Sequence, residues 1–320
     1  MKLTFEQIKG ITVGAAKIIE KQDGIHFLKC TEKQTEVWMN RNPVLGKHSS
    51  ISTGVRLDFH TDSKKLSFGV ASGVKYEVYV NGLMRAQYDM SENREVTLEL
   101  GDPLGQSFEG DRRVTLYFPA HDITGVLKWI ELDDGSYATR HKFDRKFLFI
   151  GDSITQGCAA QYDSLSYAHR VSRFFNAESV IQGTGGTYYN EEAFDHIDFE
   201  PDTVFLAFGT NDFGFYKTYD ELRMHAGTYM DLVAEKYRGK KIFVISPIWR
   251  DRRDGKAMGD FAGCRQVIIE EAVKSDCIHI DGLTLVPPMP EFFKDAYIHP
   301  NDNGFSIYAE NLIAQIVKYF

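Results

Sequence analysis

The chain has 320 residues, 43% of them hydrophobic and 26% charged, with a formal net charge of -8. That length allows one large domain or two ordinary ones, and the composition is that of a soluble globular protein. The acidic balance leaves no electrostatic footprint for nucleic acid or an anionic membrane, and no apolar run approaches the ~20 residues that span a bilayer.

The start, MKLTFEQIKG, has no apolar signal core. The four cysteines, Cys30, Cys158, Cys264 and Cys277, are scattered and lack metal-type spacing. They read as reduced thiols, so a cytoplasmic chain with no metal and no cofactor is expected.

Residues 1–140 read as all-β. Strands are predicted over Ile25 to Cys30, Val55 to Phe59, Lys65 to Ala71, Lys75 to Val80, Glu95 to Leu100, Arg113 to Phe118 and Val126 to Leu132. Tyr76-Glu77-Val78-Tyr79-Val80 alternates with period two. Asn81-Gly82 directly after it signals a tight hairpin turn. Seven or eight short strands with turns between them predict a sandwich or jelly roll, and no helix pattern stands out. Trp38, in EVWMNRNP, is expected to be more exposed than Trp129. Such a module could bind carbohydrate or buttress a neighbouring site, and buttressing is the favoured role.

Asp133-Asp134-Gly135-Ser136 ends the last β element, and Tyr137 to Arg145 reads as a polar connector. The boundary is placed at 140/141. No long Pro- or Ser-rich linker intervenes, so the two parts are expected to pack closely.

Residues 141–320 alternate strand and helix. Phe147-Leu148-Phe149-Ile150 is a fully apolar run, as a strand buried on both faces requires. Helices are predicted over Ser166 to Phe175, Tyr219 to Tyr237, Phe261 to Lys274 and Asn303 to Phe320. Further strands are predicted over Ser179 to Ile181, up to Phe208, Lys241 to Ser246 and Ile278 to Asp281. The alternation implies a flavodoxin-like, three-layer α/β domain with a parallel sheet.

Four segments sit where such a sheet binds ligands, at strand ends or helix starts. They are Gly151-Asp152-Ser153, Gly183-Thr184-Gly185-Gly186, Gly209-Thr210-Asn211-Asp212 and His299-Pro300-Asn301-Asp302. In this order they resemble the blocks of the SGNH (GDSL-type) hydrolases. The resemblance covers about half the chain and implies a serine esterase. It implies Ser153 as nucleophile and His299 as base, because a serine hydroxyl needs an adjacent base to react at neutral pH. It assigns the oxyanion donors to Ser153 N–H, the Asn211 amide and a glycine N–H. Gly183, Gly185 and Gly186 compete for that last role. Gly186 is chosen because it heads the polar stretch Thr187-Tyr188-Tyr189-Asn190.

One departure stands out. The family pattern has an aspartate three residues before the histidine, where this chain has Ala296. Asp295 stands four before. Either Asp295 orients His299, or a backbone carbonyl does and the enzyme works as a Ser–His dyad. Dyads occur in the carbohydrate esterase family two acetylxylan esterases, which this chain also resembles in placing a β-sandwich ahead of the SGNH domain.

Trp249, in Ile248-Trp249-Arg250-Asp251-Arg252-Arg253, follows a strand's carboxyl end and is a candidate sugar-stacking wall. No long apolar insertion could build an acyl-chain tunnel. Short acyl esters are therefore expected as substrates, chiefly O-acetyl groups on a small molecule or oligosaccharide. Competing expectations are a general short-chain carboxylesterase, thioesterase or lysophospholipase, and a catalytically silent carbohydrate-binding protein. No nucleic-acid or membrane partner is expected, and a homo-oligomer is compatible with the sequence.

Overall fold

The computed structural model describes residues 1–101, 110–120, 123–295 and 298–320. The N-terminal half opens with helix α1 (Phe5–Ile11), where Thr4 and Gln7 cap each other through reciprocal side-chain-to-backbone bonds. Then come β1 (Thr12–Val13), β2 (Lys17–Lys21), β3 (Gly24–Leu28) and two further helices, α2 (Glu32–Arg41) and α3 (Pro43–Ser49). The half is completed by β4 (Arg56–Thr61), β5 (Lys65–Ser72), β6 (Lys75–Val80), β7 (Leu83–Asp89), β8 (Glu95–Glu99), β9 (Arg112–Tyr117), β10 (Val126–Leu132) and β11 (Thr139–Arg140).

These strands form two antiparallel sheets. One is ordered β1-β4-β9-β6-β7, with β11 added on β4, and the other β2-β3-β10-β5-β8. Phe27, Leu57, Phe59, Phe68, Tyr76, Val78 and Leu116 fill the space between them, so the predicted sandwich is present. Asn81 (φ 50°) and Gly82 (φ 81°) both take the left-handed conformation that a two-residue hairpin turn needs between β6 and β7.

Several features correct the sequence-based expectations. First, the described part of residues 1–140 contains the helices α1, α2 and α3 where none is predicted. In α2 the buried pair is Gln34 and Trp38, four residues apart. A glutamine on the buried face hides the apolar period. Second, Trp38 is buried, 6% exposed, and packs edge-on against Tyr188 at 5.4 Å between ring centres. Third, the connector before residue 145 is partly strand, since β11 pairs with His60 and Phe59 of β4. Strands β2 and β7, also not predicted, end their sheets and are largely exposed, so their sequences carry little alternation.

The C-terminal half contains β12 (Arg145–Gly151), α4 (Ser153–Gln156), α5 (Tyr167–Phe174), β13 (Ala177–Gly183), β14 (Thr203–Ala207), α6 (Asp212–Phe215), α7 (Tyr219–Lys236), β15 (Lys241–Ile245), α8 (Phe261–Lys274), β16 (Ile278–Ile280) and α9 (Asp302–Ile316). The five strands are parallel and ordered β13-β12-β14-β15-β16. This is the flavodoxin-like order, whose ligand crevice lies where the order reverses beside the first strand. Phe147 and Phe149 of β12 face the core shared with α5 and α9, while Leu148 and Ile150 face the core shared with α7 and α8.

The two halves meet over a polar seam. The outward face of β4, β9 and β6 docks on the α/β half. Arg56 donates to Ser179 Oγ and Ala177 O, each at 3.2 Å. Tyr79 OH lies 3.1 Å from Ser164 Oγ. Those bonds explain why β6, predicted to alternate, is buried at every position from Tyr76 to Val80.

Candidate active site

Three of the four blocks lie at or just past the carboxyl ends of β12, β13 and β14, and the fourth, His299 to Asp302, leads into α9. Ser153 is the first residue of α4, two residues past the end of β12, with Asp152 between them. Asp152 caps that helix by accepting from Ile154 N–H at 2.9 Å. Burial pushes the Asp152 carboxyl up to about 7. The turn is tight because Gly151 and Gly183 are glycines. A Cβ on Gly151 would lie 2.2 Å from Thr155 Oγ1, and one on Gly183 would lie 2.2 Å from Gln156 N.

Ser153 Oγ lies 2.7 Å from His299 Nε2. His299 Nδ1 lies 2.5 Å from Asp295 Oδ2, and the other Asp295 oxygen accepts from His299 N–H at 3.0 Å. A carboxylate can only accept, so His299 carries its proton on Nδ1 and presents a lone pair at Nε2 to the serine hydroxyl. Asp295 lies four residues before the histidine, and its carboxylate occupies Nδ1. Burial raises the Asp295 carboxyl, but the hydrogen bonds from His299 outweigh it and hold the group below its ordinary range.

Asn211 immediately precedes α6, and its Nδ2 donates to Thr187 O at 2.9 Å. That bond uses one amide hydrogen and ties Asn211 to the 183–187 loop. The same loop is tied to the base of Ser153's turn, since Thr184 N–H donates to Gly151 O at 2.9 Å. Asp212, beside Asn211, accepts from Tyr189 N–H and Gly209 N–H, and burial pushes its carboxyl up to about 7.

Counting partners separates the three competing glycines. Gly183 pairs within the sheet, opposite Gly151. Gly185 N–H donates to Gln156 Oε1 at 2.6 Å. Gly186, at φ +85° and exposed, has an N–H with no acceptor among the described residues. Gly186 and Asn211 together line a cleft of about 300 Å³, with Arg41, Asn42, Leu45, Tyr188, Gly214 and Phe215. Tyr188 and the exposed Phe215 stack at 3.8 Å between ring centres. Sequence reasoning missed this wall. Its only local signal is the aromatic run in Asp212-Phe213-Gly214-Phe215-Tyr216.

Trp249 follows the carboxyl end of β15. Its ring packs 5.4 Å from that of Phe293, with the Arg253 guanidinium 5.8 Å above it. Phe293 bridges to Pro300, the residue after His299. Trp249 is thus partly committed to packing beneath the His299 loop. The neighbouring Arg250 is buried, donates to Thr210 O, and lies over the rings of Phe213 and Phe261.

A serine, a histidine and a carboxylate in hydrogen-bonded series, at the switch point of a doubly wound sheet, define the class of serine hydrolase. Within it, residues 149–307 match the GDSL-like Lipase/Acylhydrolase family. The fold of the whole chain is shared with solved structures. A salicylyl-acyltransferase from a tetracycline biosynthetic pathway superposes with TM-score 0.83 at 16% identity, over 96% of this chain and 94% of that one. A GDSL-like lipase described as putative, from Bacteroides ovatus, gives TM-score 0.74 at 18% identity, over 99% and 97%. A family two carbohydrate esterase from Clostridium thermocellum, solved with cellohexaose, gives TM-score 0.64 at 16% identity, over 83% and 93%. At these identities the likeness is one of fold. No curated protein matches the chain.

Proposed function

We propose that this esterase hydrolyses short-chain acyl esters, chiefly O-acetyl groups on carbohydrate, through an acyl-enzyme on Ser153. The observation that carries the reading is the hydrogen-bonded series Ser153–His299–Asp295. His299 Nε2 takes the proton as Ser153 Oγ attacks the ester carbon. The resulting oxyanion is met by the N–H groups of Ser153 and Gly186 and by the free amide hydrogen of Asn211. His299 then gives its proton to the departing alcohol oxygen. Water, deprotonated by the same nitrogen, releases the acid and restores the serine.

The sugar preference rests on three points. The domain order is like that of the family two carbohydrate esterases. Trp249 offers a ring beside the His299 loop, where the leaving alcohol must sit to be protonated. Among the described residues, the space next to Gly186 is an open cleft and not a closed acyl tunnel. A second reading, transfer of the acyl group to an alcohol instead of water, is favoured by the fold shared with the salicylyl-acyltransferase, and the cleft's aromatic wall has room for an acyl group larger than acetyl.

The test is a substrate panel with Ser153→Ala as control. Hydrolysis of p-nitrophenyl acetate and of acetylated xylo-oligosaccharides is expected, with lysophospholipids left intact. Ser153→Ala should lower kcat by about 10³-fold or more without unfolding the chain. Near-wild-type turnover in that variant would overturn the acyl-enzyme. Preference for lysophospholipid would overturn the sugar assignment, and ester exchange onto an added alcohol would establish transfer.

A further inference from the structure

Lys29 follows β3 in the N-terminal half and is fully buried. A buried ammonium is costly unless something compensates it. Among the described residues, no carboxylate lies within ion-pair distance. Instead Nζ crosses to the α/β half and donates to Gly183 O at 2.5 Å, with Thr53 Oγ1 of its own half at 3.2 Å. Gly183 opens the loop that carries Gly186.

The next anchor also comes from the N-terminal half. His48, in α3, lies with Nδ1 2.9 Å from Gly185 O. A carbonyl only accepts, so Nδ1 carries the hydrogen. A third anchor is indirect. Gln156 accepts from Gly185 N–H, and its own amide is fixed by donating to Ala120 O at 2.9 Å. With Thr184 O taken by Thr187 N–H and Thr187 O taken by Asn211, the backbone of this loop is almost fully committed. Gly186 N–H is left over.

We propose that Lys29 and His48 are positioning residues for the oxyanion hole, holding the 183–187 loop so that Gly186 N–H faces the reacting carbonyl. The N-terminal half is then a working part of the active site. This rests on the reading of Ser153, Gly186 and Asn211 as oxyanion donors. A cation beneath this loop has a further consequence. In a dry, low-dielectric setting its field favours negative charge developing nearby, and it needs no reorganisation as the reaction proceeds. Burial pulls the Lys29 ammonium down to about 8, against the opposing pull of Cys30, Cys158 and Asp163, which face it. The charge is therefore lost on the alkaline side of neutrality.

The experiment compares full-length wild type, Lys29→Met, His48→Phe, His48→Asn and Asn211→Ala on p-nitrophenyl acetate, with thermal unfolding as the fold control. A phenylboronic acid supplies a tetrahedral adduct on the serine as a second readout. Lys29→Met and His48→Phe should each lower kcat, by up to about 10²-fold as expected for a misplaced catalytic group. KM should change little, and boronate affinity should fall in step with kcat. His48→Asn, which keeps a donor near the same place, should retain most of the turnover. Wild-type kcat should decline above about pH 8, and that decline should be absent in Lys29→Met. If Lys29→Met does not fold, the two His48 variants still decide the matter. Unchanged kcat in folded variants, a KM-only effect, or reduced kcat with unchanged boronate affinity would overturn the proposal. A wild type that neither hydrolyses the ester nor binds boronate would overturn the ester-hydrolase reading as well. Normal Asn211→Ala kinetics would overturn the donor assignment on which both rest.

Discussion

At the residue scale, His299 works only if one tautomer is held and its cation is stabilised. Asp295 is placed for both tasks, through one oxygen on Nδ1 and the other on the backbone N–H. Asp295→Asn would present an amide to Nδ1 and favour the wrong tautomer. It is expected to lower kcat toward the roughly 10⁴-fold loss seen when a triad aspartate is neutralised. A loss of tenfold or less, under ~1.4 kcal/mol of transition-state stabilisation, would leave the carboxylate only a bystander. The pH sign follows from the depressed Asp295 carboxyl. Its ionised form is favoured in the folded chain, so its contribution is fully present at neutral pH. It is lost only as pH falls below the ordinary carboxylate range near ~4.

At the element scale, β13 and α4 approach so closely that no side chain fits between them. Gly183 is the contact point, and the atoms facing it, Gln156 N and Thr155 C, are backbone. A methyl group there cannot be accommodated by a rotamer change. Gly183→Ala must push α4 away from the sheet and move Ser153 with it. It is expected to destabilise the fold by about 1–3 kcal/mol and to lower kcat. Calorimetric unfolding and steady-state kinetics check both, and an unchanged Tm with unchanged kcat would refute this account of the turn. The short α4 and α6 were beyond sequence reading for a related reason. Four-residue helices carry no apolar period, and they exist because Asp152 and Asp212 tie down the backbone around them.

At the scale of the whole molecule, the two halves share more than a covalent link. Trp38, from α2 of the N-terminal half, lies in the same apolar cluster as Leu148, Val204 and Tyr188 of the α/β half. Trp38→Ala is expected to cost about 3–5 kcal/mol, the usual price of deleting a large buried aromatic. It should lower one shared unfolding transition. Two transitions, with only the first affected, would show instead that the halves unfold independently.

The α/β half was largely legible in the sequence because each signal there is local. A run such as Phe147 to Ile150, bounded by polar and turn residues, reads as a doubly buried strand. The Asn81-Gly82 turn and the strand–helix alternation likewise depend on neighbours in the chain. Ser153, Asn211 and His299 were singled out from equally short blocks, after strands or before a helix, through the family resemblance those blocks carry. What only tertiary structure decided depends on residues far apart in sequence. Periodicity could not show that Trp38 is buried, because the surface covering it belongs to residues 148–233. The choice of Gly186 over Gly185 rested in the sequence on the polar stretch after it; its physical ground, which N–H lacks a partner among the described residues, needs the folded positions of Gln156, Gly151 and Asn211. Nor could periodicity give Lys29 a role. A lysine after a strand reads as surface until the chain folds back and sets Gly183 O against its ammonium.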